Sequence, residues 1–428
     1  MLIGTFTEMP YQPEDLEDFH RRGGMEDLGI SNAAYDASVG HTLYNRYYDE
    51  KVYAEEVGFD ALMLNEHHSM PGCMQGVTNM GAAVLARITK KAKIIILGNM
   101  IPVWDDPLWM AEQLSMVDVI SGGRLISGWV RGSGRESVAH NIPPVYNRER
   151  FEEAHDFIIK AWSTPGPFRY EGKHYNYRYV NPWPVPMQKP HPPIWIPNQI
   201  SIETIEWAAK QRFPLVMTAH HIKPTEIAFS HYRKTAEELG YTAGSHNFGY
   251  MIKVHVDETE ELAHEAGKKF LRGARNPFIA GNAARQNQAV QRLPGLYSKI
   301  SREREKVVFG PGGYAGGGET YEDQLHEYLM IVGTPKTVLP KIKYVLETLR
   351  PGSFIMWDGD GSMTHQDTMR SLKLMGQEVI PAVREMGKEM DLKDSYEVNA
   401  GPNADGTGYD QEVWKRWQAA QKAGKQPA

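Results

Sequence analysis

Residues Lys93–Glu136 read KIIILGNMIPVWDDPLWMAEQLSMVDVISGGRLISGWVRGSGRE. The run Ile94–Leu97 is short and continuously apolar, the pattern of a strand covered on both faces. Pro107 opens a helix, since a first-turn position needs no backbone N–H. Ala111, Leu114, Val117 and Val119–Ile120 give that helix a buried stripe. Ser121-Gly122-Gly123 stops it, and Arg124–Val130 resumes as a strand. The unit is therefore strand, helix, strand, ending in a glycine-rich loop with Arg131 and Arg135. In parallel α/β folds, ligands bind at that end of the strands.

The same alternation extends in both directions. Strands are predicted at Leu2–Thr7, Phe59–Asn65, Pro193–Pro197, Pro214–Thr218, Phe248–Val256 and Ser353–Trp357. Helices are predicted at Tyr44–Val57, Val77–Ile88, Arg148–Trp162, Ser201–Gln211, Pro224–Leu239, Glu258–Leu271, Thr337–Leu349 and Thr368–Glu385. Eight strand–helix repeats predict a closed (β/α)8 TIM barrel with insertions. A doubly wound sheet is the alternative, but Glu8-Met9-Pro10-Tyr11 follows the first strand where a G-x-G-x-x-G turn would be needed. The barrel is expected over 1–388, with insertions at about 9–43, 165–192 and 273–330, and a polar C-terminal extension at 389–428. The segment 273–330, with its glycine run 310–318, reads as a lid.

Composition narrows the function classes. A net charge of −6 lacks the basic footprint of a nucleic-acid binder. A single cysteine, Cys73, rules out an intrachain disulfide and a cysteine metal cluster. The N-terminus has no signal-peptide pattern, and no apolar run reaches the roughly 20 residues of a membrane span. A soluble, cytoplasmic chain is the expectation.

Three features carry chemistry. Glu66-His67-His68 ends the second strand. Adjacent strand residues point to opposite faces, so the two histidines suit a shared metal poorly, as do His220-His221, and no metal site is expected. A histidine at a barrel mouth can instead handle a proton near neutral pH; a hydrogen-bonded structural histidine is the plain reading. Arg131 and Arg135 lie among Gly128, Gly132 and Gly134, a plausible phosphate seat where guanidinium forks match phosphate oxygens. Ser201 caps the next helix, either as an ordinary N-cap or as part of an anion site. Trp104, Trp109, Trp129, Trp183, Trp195 and Trp357 recur near strand ends, as pocket walls or as barrel filling.

Taken together, these segments resemble the bacterial luciferase-like, flavin-dependent monooxygenases. The resemblance is carried by Glu55-Glu56-Val57-Gly58-Phe59-Asp60 leading to Glu66-His67-His68, and by Pro107, Ala111-Glu112 and Val117-Asp118 leading to Ser121-Gly122-Gly123-Arg124. Gly128-Trp129-Val130-Arg131-Gly132, Arg150-Phe151-Glu152-Glu153, Tyr170-Glu171-Gly172-Lys173, Pro190–Trp195 and Gly333-Thr334-Pro335 complete it. It implies a barrel holding reduced FMN at the strand C-termini, with His67 catalytic. Arg131, Ser201 and Arg148 are implied at the phosphate, with Arg150 competing for the place of Arg148, and Asn99 against the flavin ring. It further implies O2 as co-substrate and a homodimer. Lacking a dinucleotide fingerprint, the chain is expected to receive reduced flavin from a separate reductase. The alternatives are a coenzyme F420-dependent oxidoreductase and a catalytically silent flavin-binding barrel.

Overall fold

Eight parallel strands close into a ring. They are β1 (Leu2–Phe6), β2 (Ala61–Leu64), β3 (Lys93–Asn99), β4 (Leu125–Trp129), β7 (Ile194–Asn198), β8 (Leu215–Thr218), β9 (Phe248–Val256) and β11 (Ser353–Trp357), in ring order β1-β2-β3-β4-β7-β8-β9-β11. The β8–β9 and β11–β1 pairings seal it. The computed structural model describes residues 1–12, 30–132, 134–198, 201–218, 221–270 and 320–399. Residues 271–319, which include 273–319 of the expected lid, and the tail from 400 lie outside the described residues, as does His220.

Both faces of the strands are buried, which is why they read as unbroken apolar runs. Side chains nevertheless alternate between two cores. Phe6, Met63, Ile95, Leu97, Ile126, Val216, Met251 and Ile355 fill the ring's interior. Leu62, Leu64, Ile94, Ile96, Leu125, Ile252 and Phe354 pack outward under the helices. Where β3 meets β4, glycine is required. A Cβ on Gly98 would stand 2.6 Å from the Gly128 carbonyl oxygen, and one on Gly128 2.3 Å from that of Ile96. The pairing slips between Ile96 and Asn99 at this point, so Asn99 ends opposite Trp129.

Several boundaries differ from expectation. The first described helix, α1, spans Ala37–Glu56 with Asp36 as its N-cap, so it begins inside the expected insertion 9–43. Its buried face includes Glu50 and Lys51 beside Leu43 and Tyr47, which hides the apolar period. A ninth strand of the sheet, β10 (Met330–Gly333), pairs with the upper part of β9. The stretch 165–192 holds an antiparallel hairpin, β5 (Phe168–Glu171) and β6 (Asn176–Val180). The glycine-rich loop after β4 contains a short helix, Gly134–Ala139. At the opposite end of the ring, the start of the C-terminal extension is part of the packing. Ser395 accepts a hydrogen bond from Trp195, and the amino terminus of Met1 pairs with Glu397 at 2.8 Å. Among the described residues no helix is long and apolar enough to cross a membrane.

Candidate active site

Strands of a parallel ring all leave at the same end, so the residues just past β1, β2, β3, β4 and β7 meet there. Two groups form on opposite parts of this rim.

The first is built around His67, three residues beyond β2. Its Nδ1 lies 2.9 Å from Glu136 Oε1, and its Nε2 lies 3.8 Å from Glu8 Oε2, just past β1. Glu136 is fully buried and comes from the short helix that follows Arg131. A carboxylate only accepts, so this contact puts the imidazole proton on Nδ1 and turns Nε2 toward Glu8 and the mouth. Glu8 is held in turn: Asn65 Nδ2 donates to it at 2.9 Å, and its backbone N–H donates to Asp360. His68 points elsewhere, as alternation demands. It bonds Glu66 at 2.9 Å and meets the ring of His140 edge-on. Burial pushes His140 below the usual histidine range, helped by His68. Asn99 is completely buried, and its amide donates to Glu66 and Asn79 while its Oδ1 is left without a hydrogen-bond donor.

The second group is an anion seat. Arg131 Nη2 donates to Ser201 Oγ at 2.9 Å, and Arg148 Nη2 donates to Thr204 Oγ1 at 3.2 Å. The two hydroxyls are 3.1 Å apart on the first turn of the helix Ile202–Gln211. Asn198, the last residue of β7, brackets Ser201 by bonding both its N–H and its carbonyl. Gly132 takes a φ of +77°, which a side chain would strain, and so lets the chain turn directly after Arg131. Burial lowers the proton affinity of Arg148, whose Nη1 is buried without a hydrogen bond, although Glu152 stands at 3.6 Å. Two guanidinium groups, two hydroxyls and a helix N-terminus make a set of donors that a terminal phosphate fits. The nearby Glu203, 3.3 Å from Ser201 Oγ, offsets part of that positive field.

The structure separates residues that the sequence left competing. Arg150 is turned away: it bonds the carbonyls of Pro102 and Trp104 and pairs with Asp105. The side chain of Arg135 is outside the described residues. Of the tryptophans, Trp357 and Trp104 reach the mouth, Trp104 donating to Glu66. Trp129 packs outward against His155 and Trp162, Trp195 sits low in the ring's interior, and Trp109 and Trp183 are exposed. Glu136, Glu8 and Thr204 were not singled out from sequence. Thr204 left a signal, since a hydroxyl three residues past an N-cap shares its turn; Glu136 and Glu8 left none. Among the described residues no group of three histidine, cysteine or carboxylate side chains stands ready for a metal ion.

This geometry can be set against known proteins. The sequence profile of the luciferase-like monooxygenases matches residues 37–350. The chain belongs to that family. A flavin-dependent trigonelline monooxygenase, oxygenase component, of Acinetobacter baylyi is 23% identical over 355 residues, covering 82% of this chain and 92% of that one. The oxygenating constituent of 3,6-diketocamphane monooxygenase of Pseudomonas putida, solved with FMN, superposes with a TM-score of 0.65 at 18% identity, covering 89% and 98%. The coenzyme F420-dependent tetrahydromethanopterin reductase of Methanopyrus kandleri superposes with a TM-score of 0.56 at 21% identity, covering 79% and 95%. Structures that share this fold thus include one solved with FMN and one dependent on coenzyme F420.

Proposed function

We propose that this luciferase-like barrel is an FMNH2-dependent monooxygenase that inserts one atom of O2 into a small, apolar organic substrate. The observation that carries the reading is the pairing of Arg131 with Ser201, and of Arg148 with Thr204, at the same end of the ring as the Glu136–His67–Glu8 array. Arg131, Arg148, Ser201 and Thr204 hold the phosphate end of the cofactor. Bound there in its reduced form, the flavin supplies the electrons that activate O2. His67, with Nδ1 fixed by Glu136, holds or delivers a proton through Nε2 toward the mouth. The buried carboxylates Glu136 and Glu8 keep that imidazole oriented.

The reduced flavin arrives from a separate reductase, and the chain acts as a homodimer. The dimer reading draws on apolar side chains exposed on two adjacent helices: Met80 at 69% and Val84 on Thr78–Ile88, Trp109 at 59% and Met116 on Pro107–Ser121. Single exposed apolar residues are ordinary, but a shared face of several marks an interaction surface.

Fluorescence titration with FMN, FMNH2 and F420 side by side tests the cofactor. FMNH2 is expected to bind in preference, with F420 weak. The F420 relatives make the reverse outcome meaningful: tight F420 and weak FMNH2 would convert the barrel to a hydride-transferring oxidoreductase. Purified protein that oxidised NAD(P)H with added FMN at a useful rate would remove the need for a reductase. His67→Ala with unchanged turnover would leave a silent flavin-binding barrel.

A further inference from the structure

His67 has a neighbour with no part in the scheme above. His67 and His68 engage different groups, Glu136 and Glu66. The ring of His68 then reaches back to the turn that carries Glu136. The His140 N–H donates to the Glu136 carbonyl at 3.0 Å, an i to i+4 bond, so both side chains leave the same helical face. His67 Nδ1 lies 2.9 Å from Glu136 Oε1, and the His68 ring meets the His140 ring edge-on, with centres 4.2 Å apart and planes at 83°. Two consecutive histidines past β2 therefore grip two positions of the short helical turn past β4.

That turn cannot hold its own position. Gly134–Ala139 spans six residues, well below the length at which a helix is stable alone. Its place comes from what it touches. On one side Asn147 Nδ2 donates to Ser137 Oγ at 2.8 Å and ties it to the helix that follows. On the other stand the two histidines. The His68 ring is itself fixed: its Nε2 lies 2.9 Å from Glu66 Oε1, and the buried Glu66 carboxylate also accepts from Asn99 at 2.9 Å and from Trp104 at 3.4 Å. A carboxylate only accepts, so His68 carries its proton on Nε2 and cannot turn without leaving Glu66. Its ring is thus a rigid stop against which His140 rests, four residues beyond Glu136.

We propose that the ring contact between His68 and His140 sets Glu136 against His67, which makes His68 and His140 positioning residues for that imidazole. Both act through Glu136. Without the contact, the share of molecules in which Glu136 has left His67 rises by about twofold to tenfold, the range that one aromatic pair contact supplies. The docking stands on these contacts; its bearing on turnover rests on the flavin-monooxygenase reading.

Nitrogen–proton NMR spectra of the full chain, labelled at histidine, read the dyad directly, with the His67 signal assigned by its absence from His67→Gln. Wild-type His67 should carry its proton on Nδ1, and that proton should exchange slowly with water. His140 lies at the surface, so His140→Ala leaves the core intact. It should speed the exchange by about twofold to tenfold, since exchange follows the open population. His140→Phe keeps a ring without a titratable group and should restore the wild-type rate, while all three proteins bind FMN alike. A wild-type His67 with no protected Nδ1 proton would overturn the proposal without any variant. So would an unchanged rate in folded His140→Ala, or a His140→Phe protein that exchanges as fast as His140→Ala. Weakened FMN binding in His140→Ala would move this histidine into the cofactor's seat and overturn the proposal equally. Adding His140→Ala to Glu136→Gln should lower turnover no further than Glu136→Gln alone, because both act through one carboxylate; an additive loss would refute that. If no reduced flavin supports turnover in the wild type, the cofactor reading fails and the exchange rates still decide the clasp.

Discussion

Removing one guanidinium from the anion seat tests the heart of the cofactor reading. Arg148→Met keeps the length and apolar stem of the side chain and deletes the charge. The Arg148 side chain is 22% exposed, so solvent screens it little, and its Nη2 bond to Thr204 Oγ1 is 3.2 Å. A hydrogen bond to a charged partner contributes about 1.5–3 kcal/mol. Glu152 at 3.6 Å and Glu203 beside Ser201 already draw on this field, which argues for the low end. About 1.4 kcal/mol corresponds to tenfold in affinity. Arg131→Met, which also strips a donor from Ser201 Oγ, should cost between about tenfold and a hundredfold. If the two arginines share one phosphate, the double variant should lose less than the product of the single losses.

The decisive comparison is FMN against riboflavin, which has the same ring system and no phosphate. Flavin fluorescence quenching measures both dissociation constants in each protein. Each arginine variant should weaken FMN by its stated factor and leave riboflavin within about twofold. Equal weakening of both ligands would mean that the arginines act through the fold and hold no phosphate. No weakening of either would place the cofactor elsewhere on the rim. Added salt should shrink the wild-type preference for FMN, because the interaction is ionic.

Three further outcomes are expected. Glu136→Gln keeps an acceptor near His67 Nδ1 but removes the carboxylate that fixes the imidazole, so turnover should fall by roughly tenfold while FMN affinity holds; unchanged turnover in the folded variant rules out the dyad. Lys51 is buried on α1, donates to the Met63 carbonyl, and is pushed down to about 8 by desolvation, so between about pH 8 and pH 10.5 the unfolded chain holds its proton more firmly than the folded one. Stability should therefore rise with pH across that window by about 3 kcal/mol from this group, and denaturant titrations of Lys51→Met should lack the rise. Met80→Glu together with Val84→Glu should convert the dimer to monomer in analytical ultracentrifugation, and a wild-type protein that sediments as a monomer discards that surface at once.

The strands were legible because burial on both faces leaves no polar position to confuse the run, as in Ile94–Leu97 and Phe354–Met356. β10 was not, since four residues at the edge of a polar stretch carry too little pattern. The first turns of α1 escaped for the same reason: of Ala37–Leu43 only Gly40 and Leu43 are buried, too few to show an apolar period. Ser201 was legible as an N-cap because capping is local. Arg148 and Arg150 stand two residues apart on one helix, about 200° around it, so sequence alone cannot say which faces the mouth. Packing decides: Arg150 is engaged with Pro102 and Trp104, and Arg148 reaches Thr204. The link from residue 67 to residue 136 had no local trace at all, because it exists only once β2 and β4 share a ring.

Charge around that ring gives a reason for the orientation of a bound flavin. Past β4 and β7 stand Arg131, Arg148, Ser201 and Thr204; past β1, β2 and β11 stand Glu8, Glu66 and Asp360, with Glu136 reaching across to His67. A terminal phosphate turned toward the second arc would face buried carboxylates, whose repulsion the low-dielectric interior strengthens. Turned toward the first, it meets two guanidinium groups and a helix N-terminus. On the proposed reading the tail would be anchored on that side, and the ring system would extend toward β2 and β3, where His67 and Asn99 lie.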